Sequence, residues 1–179
     1  WFANRGYATL QVNYRASTGF GKNFVNAGDN EWAGDMHNDL LDAVAWAVQN
    51  GVTTEDRVAI FGGSYGGYAT LVGLTFTPET FACGVDLVGP SNLVTLIESF
   101  PPYWAPQLEG QWYPRMGDPR TPEGRAAMME RSPITRVNDI RRPLLIAQGA
   151  NDPRVNERES DQIVAAMQER NIPVTYLLY

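Results

Sequence analysis

The sequence predicts an α/β fold, with a mostly parallel sheet and helices on both of its faces. Short, almost continuously apolar runs alternate with segments of helical periodicity, and such runs are typical of parallel strands that are covered on both sides. A second observation is the glycine-rich segment GGSYGG at residues 62–67, which lies between one apolar run and an apolar helical segment. The alternation of apolar runs with helical segments indicates an open α/β sheet. The apolar runs are residues 7–12, 58–61, 85–88, 144–147 and 174–178.

The first long helix is predicted at residues 35–49, between the first two strands. His37, Leu41, Val44 and Val48 share one stripe of such a helix, which is the pattern of a helix face packed on a core. His37 is the only histidine in the chain. We therefore interpret it as a structural residue.

Two more helices follow predicted strands. Residues 68–74 are apolar almost all round, as expected for a helix packed under the preceding turn, and Pro78 ends that helix. The last helix is predicted to begin at Asn156, with Glu159 three positions later in the spacing of a capping box.

Residues 91–142 interrupt the alternation of strands and helices. This segment contains seven prolines and several large aromatic residues, and we interpret it as an excursion over the sheet. Its aromatic side chains either pack the excursion onto its own domain or line the mouth of a site. Of these two interpretations, we favour packing.

Composition excludes several classes of protein. The net charge is −6 with no basic cluster, so the positive footprint on which nucleic-acid binding depends is missing, and no DNA or RNA partner is expected. No apolar stretch approaches the roughly 18 residues that cross a bilayer, so no membrane partner is expected. Cys83 is the only cysteine, which permits neither an internal disulfide nor a thiolate metal cluster. We expect no metal and no other cofactor.

Ser64 is the best-supported candidate catalytic residue. A serine at a sharp turn between a strand and a helix is typical of a nucleophile elbow, which needs residues without bulk on both sides. The same turn directs the first backbone N–H groups of the helix, that of Tyr65 foremost, toward an oxyanion formed when the serine attacks a carbonyl. The alternative is a glycine-rich turn without chemistry.

The loop after the fourth apolar run supplies the candidate acid. Asp152 lies in a tight Gly- and Pro-containing loop, GANDPRV at residues 149–155, and the carboxyl ends of parallel strands gather catalytic groups at one edge of the sheet. Its alternative is an ordinary turn aspartate. Arg154 is a candidate substrate contact through its planar guanidinium, or else a solvated loop residue.

The general base is the member of the catalytic triad that the sequence does not supply in the expected place. A serine hydroxyl needs a base, normally a histidine oriented by a carboxylate, and in the α/β-hydrolase order the histidine follows the acid. His37 precedes the serine instead. Trp1 is not an initiator residue and reads as part of a helix end, so we expect the chain to be a piece of a longer protein, truncated at both ends. The catalytic histidine is expected after Tyr179.

Three segments together resemble the peptidase domain of the prolyl oligopeptidase family, in its acylaminoacyl-peptidase and dipeptidyl-aminopeptidase branch. They are GGSYGGY at residues 62–68, NYRASTG at residues 13–19 and GANDPRV at residues 149–155. The resemblance runs through nearly the whole chain. It implies an α/β-hydrolase domain, here partial and spanning residues 1–179, with an N-terminal β-propeller as its partner in the full-length protein and a short peptide as substrate.

The resemblance also implies roles for individual residues. Ser64 would be the nucleophile, Asp152 the acid, the Tyr65 amide an oxyanion donor and Arg154 a contact to the substrate backbone. Val94 and Ile97, in the segment after Pro90, would line the pocket for the residue before the scissile bond. Ala16 stands where relatives usually carry glycine.

The sequence therefore predicts a serine peptidase that cleaves short peptides through an acyl-enzyme on Ser64. Without the histidine, residues 1–179 alone are expected to be nearly inactive. Two alternatives remain open: a carboxylesterase-type hydrolase on the same fold, because acyl transfer to water uses the same groups for esters and peptides, and a non-catalytic, hydrolase-like binding domain. The oligomeric state is not predicted.

Overall fold

The computed structural model describes all 179 residues and contains one parallel, four-stranded sheet, in which each strand lies beside the next one along the chain. Gly63 lies beside Leu87, Leu87 beside Ala147, and Ala147 beside Leu177, so the carboxyl ends of the strands meet at one edge. The loops that carry the candidate residues leave the sheet at that edge. The strands are β1 (Ala59–Gly63), β2 (Cys83–Leu87), β3 (Leu144–Gln148) and β4 (Val174–Leu178).

The connections between the strands are largely helical. No α-helix combines the length and the apolarity that crossing a lipid bilayer requires. Short 3₁₀ or π turns are Ala3–Arg5, Glu55–Arg57, Pro102–Gln107, Leu108–Trp112 and Pro133–Asp139. The α-helices are α1 (Lys22–Asn26), α2 (Asp35–Gln49), α3 (Tyr65–Thr75), α4 (Leu93–Glu98), α5 (Tyr113–Met116), α6 (Pro122–Glu130) and α7 (Arg158–Glu169).

The main core lies between one face of the sheet and the helices α2, α3 and α7. Leu71 and Leu74 of α3 pack with Ile146 of β3 and with Ile163 and Met167 of α7. The predicted all-round burial of α3 is confirmed, because every residue from 67 to 75 is buried. On α2 the predicted stripe packs against the same cluster through Leu41 and Val44.

The opposite face of the sheet carries no helix within residues 1–179. Successive side chains of a strand point to opposite faces, and those that point away from α3 and α7 include Phe61 and Leu177, which are 50% and 38% exposed. Phe2 is one residue that contacts this face, with its ring 5.1 Å from that of Phe61. The predicted parallel sheet is therefore present, with helices on one face in this part of the protein.

The first predicted strand, residues 7–12, is not a strand in the structure. Backbone groups of residues 8–13 form no backbone hydrogen bond, and Tyr7 and Leu10 are exposed. A strand exists through pairing with a neighbour, and no part of this chain pairs with the segment. The apolar run alone therefore predicted a strand that residues 7–12 do not form in this chain.

The excursion, residues 91–142, forms a second core on the outer side of α3. Tyr68 and Val72 of α3 pack with Leu93 of α4 and with Met116 and Met128 of the following helices. The Tyr68 hydroxyl donates a hydrogen bond to the Arg131 carbonyl oxygen at 2.8 Å. The excursion is thus anchored on the helix that begins at Ser64.

The predicted capping box at the start of α7 is wrong in part. The helix begins at Arg158 with Glu157 at the N-cap position, and the Oδ1 of Asn156, one residue earlier, accepts the N–H of Arg158 at 3.0 Å. The Glu159 carboxylate does not return to Asn156. It accepts hydrogen bonds from Ser91 and Asn92, far away in the sequence.

Candidate active site

Ser64 lies at the sharp turn between β1 and α3, with φ 56° and ψ −117°. This left-handed conformation is rare for a residue with a side chain and costs on the order of 1–3 kcal/mol. Two backbone hydrogen bonds hold it: the Ser64 N–H donates to the Leu87 carbonyl at 2.8 Å, and the Ser64 carbonyl accepts from Tyr68 N–H at 3.0 Å. Its exposed hydroxyl does not cap α3, so it is free for chemistry.

Two of the four glycines around Ser64 are required by close contacts. A Cβ on Gly62 would lie 2.4 Å from the carbonyl carbon of Gly66. A Cβ on Gly67 would lie 2.2 Å from Asp86 Oδ1 and 2.6 Å from the Gly89 Cα. Gly63 and Gly66 have room for a side chain. Crowding at the elbow is therefore concentrated on the sides that face the helix start and β2.

Asp86 of β2 is a buried carboxyl group directly beneath the elbow, and no motif in the sequence pointed to it. Its Oδ1 accepts the N–H of Gly89 at 2.7 Å, while Oδ2 is buried without a partner. Burial raises the pKa of Asp86 to about 7. The group therefore changes its charge near neutral pH inside the core that supports Ser64.

Tyr65 is the first residue of α3, and its backbone N–H is one of the groups at a helix start that have no acceptor within the helix. Its ring packs against Trp32 and Tyr14, with centroids 4.6 and 5.2 Å away. Burial raises the pKa of the Tyr65 hydroxyl, so the side chain stays neutral. The ring fixes the turn, while the amide remains available to an oxyanion.

Asp152 lies in the loop after β3, and its side chain holds that loop in shape. Its Oδ1 accepts the backbone N–H groups of Arg154 at 2.8 Å and of Val155 at 3.0 Å. The Asp152 N–H donates to the Gly149 carbonyl at 3.2 Å. With Oδ1 held by backbone amides, Oδ2 is the oxygen that remains available to orient an imidazole.

A pocket of about 140 Å³ joins the elbow to the acid loop. Ser64 and Tyr65 line one side, and Arg154 reaches it from the acid loop, where its side chain forms no ion pair within the chain. Most of the lining is apolar. The lining residues are Trp32, Ser64, Tyr65, Pro90, Leu96, Phe100, Trp104, Trp112, Arg154 and Val155.

Val94 and Ile97, the predicted pocket residues, do not line this pocket. They are 1% and 5% exposed and belong to the core under the excursion. Leu96 of the same helix and Phe100 just after it line the pocket instead. Leu96 is 4% exposed and belongs to the same core, so the sequence did not show which buried side chain of α4 also borders the pocket.

The aromatic residues of the excursion have both of the roles that the sequence left open, packing and lining a site. Trp104 and Trp112 stack with ring centroids 5.2 Å apart, and Phe100 contacts both. The same three rings line the pocket. They therefore pack the excursion onto its domain and also form a wall beside Ser64.

His37 is a structural residue, as its place on a packed helix face predicted. It is buried, and its Nε2 lies 2.9 Å from the Thr77 hydroxyl. Burial lowers the pKa of His37 to about 4. Thr77 follows the far end of the 11-residue helix α3, which is about 16 Å long at 1.5 Å per residue. His37 is therefore remote from Ser64.

The end of β4 lies beside the acid loop. The Tyr179 N–H donates to the Gln148 carbonyl at 2.9 Å, and the Tyr179 carbonyl accepts from the Ala150 N–H at 2.8 Å. Tyr179 is therefore fixed to the same loop that carries Asp152.

Comparison with known proteins agrees with this geometry. The sequence profile of the Prolyl oligopeptidase family matches residues 1–179. The chain is 69% identical to dipeptidyl aminopeptidase BIII of Pseudoxanthomonas mexicana, over 100% of this chain and 26% of that protein. It is 55% identical to dipeptidyl peptidase family member 6 of Caenorhabditis elegans, over 100% of this chain and 24% of that protein.

A solved structure, that of a Mycobacterium tuberculosis puromycin-hydrolyzing peptidase, superposes with a TM-score of 0.85 at 30% identity. The match covers 94% of this chain and 24% of that one. The chain thus spans about a quarter of the length of the relatives it matches.

Proposed function

Because the chain belongs to the prolyl oligopeptidase family, we propose that it forms the catalytic part of a serine peptidase that hydrolyses short peptides through an acyl-enzyme on Ser64. One observation carries the proposal. A strained, exposed serine at a strand-to-helix turn shares a pocket with the loop of a half-buried aspartate. This is the arrangement that acyl transfer requires.

In the first step, Ser64 Oγ attacks the carbonyl carbon of the scissile bond while a general base takes its proton. The oxyanion that forms accepts a hydrogen bond from the Tyr65 N–H, at the positive end of α3. Collapse of this intermediate releases the amine, which takes the proton from the base, and leaves the acyl group on Ser64. Water, activated by the same base, then hydrolyses the ester.

The base in this proposal is a histidine that follows Tyr179 in the full-length protein. Two hydrogen bonds tie Tyr179 to the acid loop, so the next residues start beside Asp152. An imidazole there would donate one ring N–H to Asp152 Oδ2 and face Ser64 with its other nitrogen. Residues 1–179 alone would then be nearly inactive, because loss of a triad histidine costs about a millionfold in turnover.

The pocket supports a proposal for the substrate. Its apolar and aromatic lining fits the apolar side chain of the residue that contributes the scissile carbonyl. Arg154, the charged residue of the lining, would contact a substrate carbonyl oxygen. The names of the two relatives favour release of dipeptides from a free amino terminus. The same proposal includes a β-propeller in the rest of the protein, and this propeller would limit access to the site at Ser64.

The test uses the full-length protein and a peptide amide with a chromogenic leaving group. Ser64→Ala is expected to lower kcat at least about ten-thousandfold with the fold intact. Asp152→Asn should also lower kcat strongly, because the imidazole loses its orienting charge. Thr54→Ala, which removes an exposed hydroxyl before β1, is the control and should behave like the wild type. Hydrolysis that survives Ser64→Ala would refute the proposal.

A further inference from the structure

The Glu159 carboxylate lies in a long-range network and not in the local motif that its spacing predicted. Glu159 is on the first turn of α7 and is 1% exposed. Its Oε2 accepts the backbone N–H groups of Ser91 at 3.1 Å and Asn92 at 3.0 Å, and its Oε1 accepts the Thr95 hydroxyl. These three donors belong to the segment that begins α4, and a fourth, Gln162 Nε2 on α7 itself, bonds Oε2 at 3.0 Å.

The neighbouring residue on the same turn holds the acid loop. The Ser160 hydroxyl donates to Gln148 Oε1 at 2.9 Å, and the Gln148 amide donates to the Val155 carbonyl at 3.0 Å. Val155 and Leu96 of α4 both line the pocket beside Ser64. The first turn of α7 therefore connects two walls of that pocket.

Loss of the Glu159 carboxylate would remove hydrogen-bond acceptors at the start of α4. The Ser91 and Asn92 N–H groups have no other acceptor within the chain, and a buried N–H without a partner is unfavourable. Asn92 in turn caps α4, because its Oδ1 accepts the N–H groups of Val94 and Thr95 at 3.0 and 3.3 Å. A disturbance at Asn92 therefore reaches the helix that carries Leu96.

We propose that Glu159 is a positioning residue, which fixes the α4 wall of the pocket relative to the Asp152 loop. It acts through Asn92 and α4 and does not itself line the pocket. The inference rests on the proposed peptidase function, since it assigns Glu159 a part in holding the substrate pocket of that enzyme.

The experiment compares Glu159→Ala and Glu159→Gln in the full-length protein, on two peptide amides with Phe or Ala before the scissile bond. For Glu159→Ala, KM for the Phe substrate should rise about tenfold, with kcat within about twofold, because a disordered wall weakens binding of the large side chain. KM for the Ala substrate should change little.

Glu159→Gln should restore nearly wild-type kinetics. The glutamine carbonyl can accept both backbone N–H groups, and its amide can donate to the Thr95 hydroxyl. Burial raises the pKa of Glu159, and no cation forms an ion pair with it, so a neutral residue of the same shape fits the site. Glu169→Ala, at the exposed end of α7, is the matched control and should have no effect.

Hydrogen exchange supplies a readout that does not depend on activity. Residues 91–100 should exchange faster in Glu159→Ala and as in the wild type in Glu159→Gln. If Glu159→Ala does not fold, Thr95→Val, which removes one donor to the carboxylate, should give the same changes with smaller amplitude.

Equal loss on both substrates, or a Gln variant as damaged as the Ala variant, would overturn the role of Glu159 while leaving the peptidase proposal intact. A wild-type protein without Ser64-dependent hydrolysis would refute the proposed function. The exchange of residues 91–100 would still decide whether Glu159 holds α4.

Discussion

Asp86 shows at the scale of one residue how the elbow is supported. Its carboxyl group occupies the space that forces glycine at positions 67 and 89, and it bonds the Gly89 N–H. No cation pairs with it, and its second oxygen is buried without a partner. The uncharged form is therefore favoured, which is why burial raises its pKa to about 7.

This pKa predicts a stability that depends on pH. Because the folded-state pKa lies above the ordinary value of an aspartate, about 3.9, the contribution of Asp86 is fully present below about pH 4 and is lost as pH rises through 7. The loss reaches about 4 kcal/mol well above pH 7, at 1.36 kcal/mol per pKa unit. Asp86→Asn, which cannot ionise, should remove this dependence and make the peptidase domain more stable than the wild type at pH 9.

Denaturant unfolding of both proteins at pH 5 and pH 9 provides the measurement. The exposed Asp42 offers a matched control, since Asp42→Asn should follow the wild type at both values. Parallel curves for Asp86→Asn and the wild type would show that Asp86 does not titrate in this range.

Whether the role of a single residue could be predicted depended on whether its signal is local in the sequence. Ser64 was predicted because glycines, a strand and a helix surround it in sequence, and His37 because its helix stripe is local. Asp86 and Glu159 gained their roles from partners in other elements, and local spacing carries no information about those. In the case of Glu159 it suggested the wrong partner.

At the scale of elements, the elbow depends on how closely α3 approaches β2. Gly66 and Gly67 are adjacent in α3 and neither has a positive φ, so they differ in the space around them. Gly67→Ala should destabilise the peptidase domain by about 3 kcal/mol, because its Cβ would meet Asp86 and the backbone of Gly89. Gly66→Ala should keep or raise stability by up to about 1 kcal/mol, since its Cβ points into open space.

Melting temperatures of the two variants in the full-length protein decide this prediction. The comparison is internal, because both changes add one methyl group to the same helix turn. Equal melting temperatures would mean that α3 shifts away from β2 at little cost.

Helices and strands were predicted correctly where a local pattern of apolar residues reveals them. Four strands and the helices α2, α3 and α7 lie close to their predicted positions, because apolar runs and stripes reflect burial directly. The failures concern relations between elements. Residues 7–12 have the pattern of a strand but no pairing partner, and the face of α4 that lines the pocket carries Leu96 and not Val94.

At the scale of the whole molecule, the sheet is covered on one side only. The face away from α3 and α7 exposes large apolar side chains, Phe61 and Leu177 among them, and β1 forms an unpaired edge of the sheet. An apolar face together with an open edge promotes association between copies. Since the relatives are about four times longer than this chain, the state of this face is a property of the full-length protein.

Residues 1–179 produced alone are therefore expected to aggregate. Replacing Phe61 and Leu177 with serine should increase the soluble fraction of this piece, because both side chains lie on the uncovered face. Leu10→Ser is the matched control: Leu10 is similarly exposed but lies outside the sheet, so the change should have little effect. Ultracentrifugation of the three proteins measures the outcome. A soluble wild-type monomer with a sharp, reversible melting transition would contradict the prediction and show that the sheet is stable with one face in water.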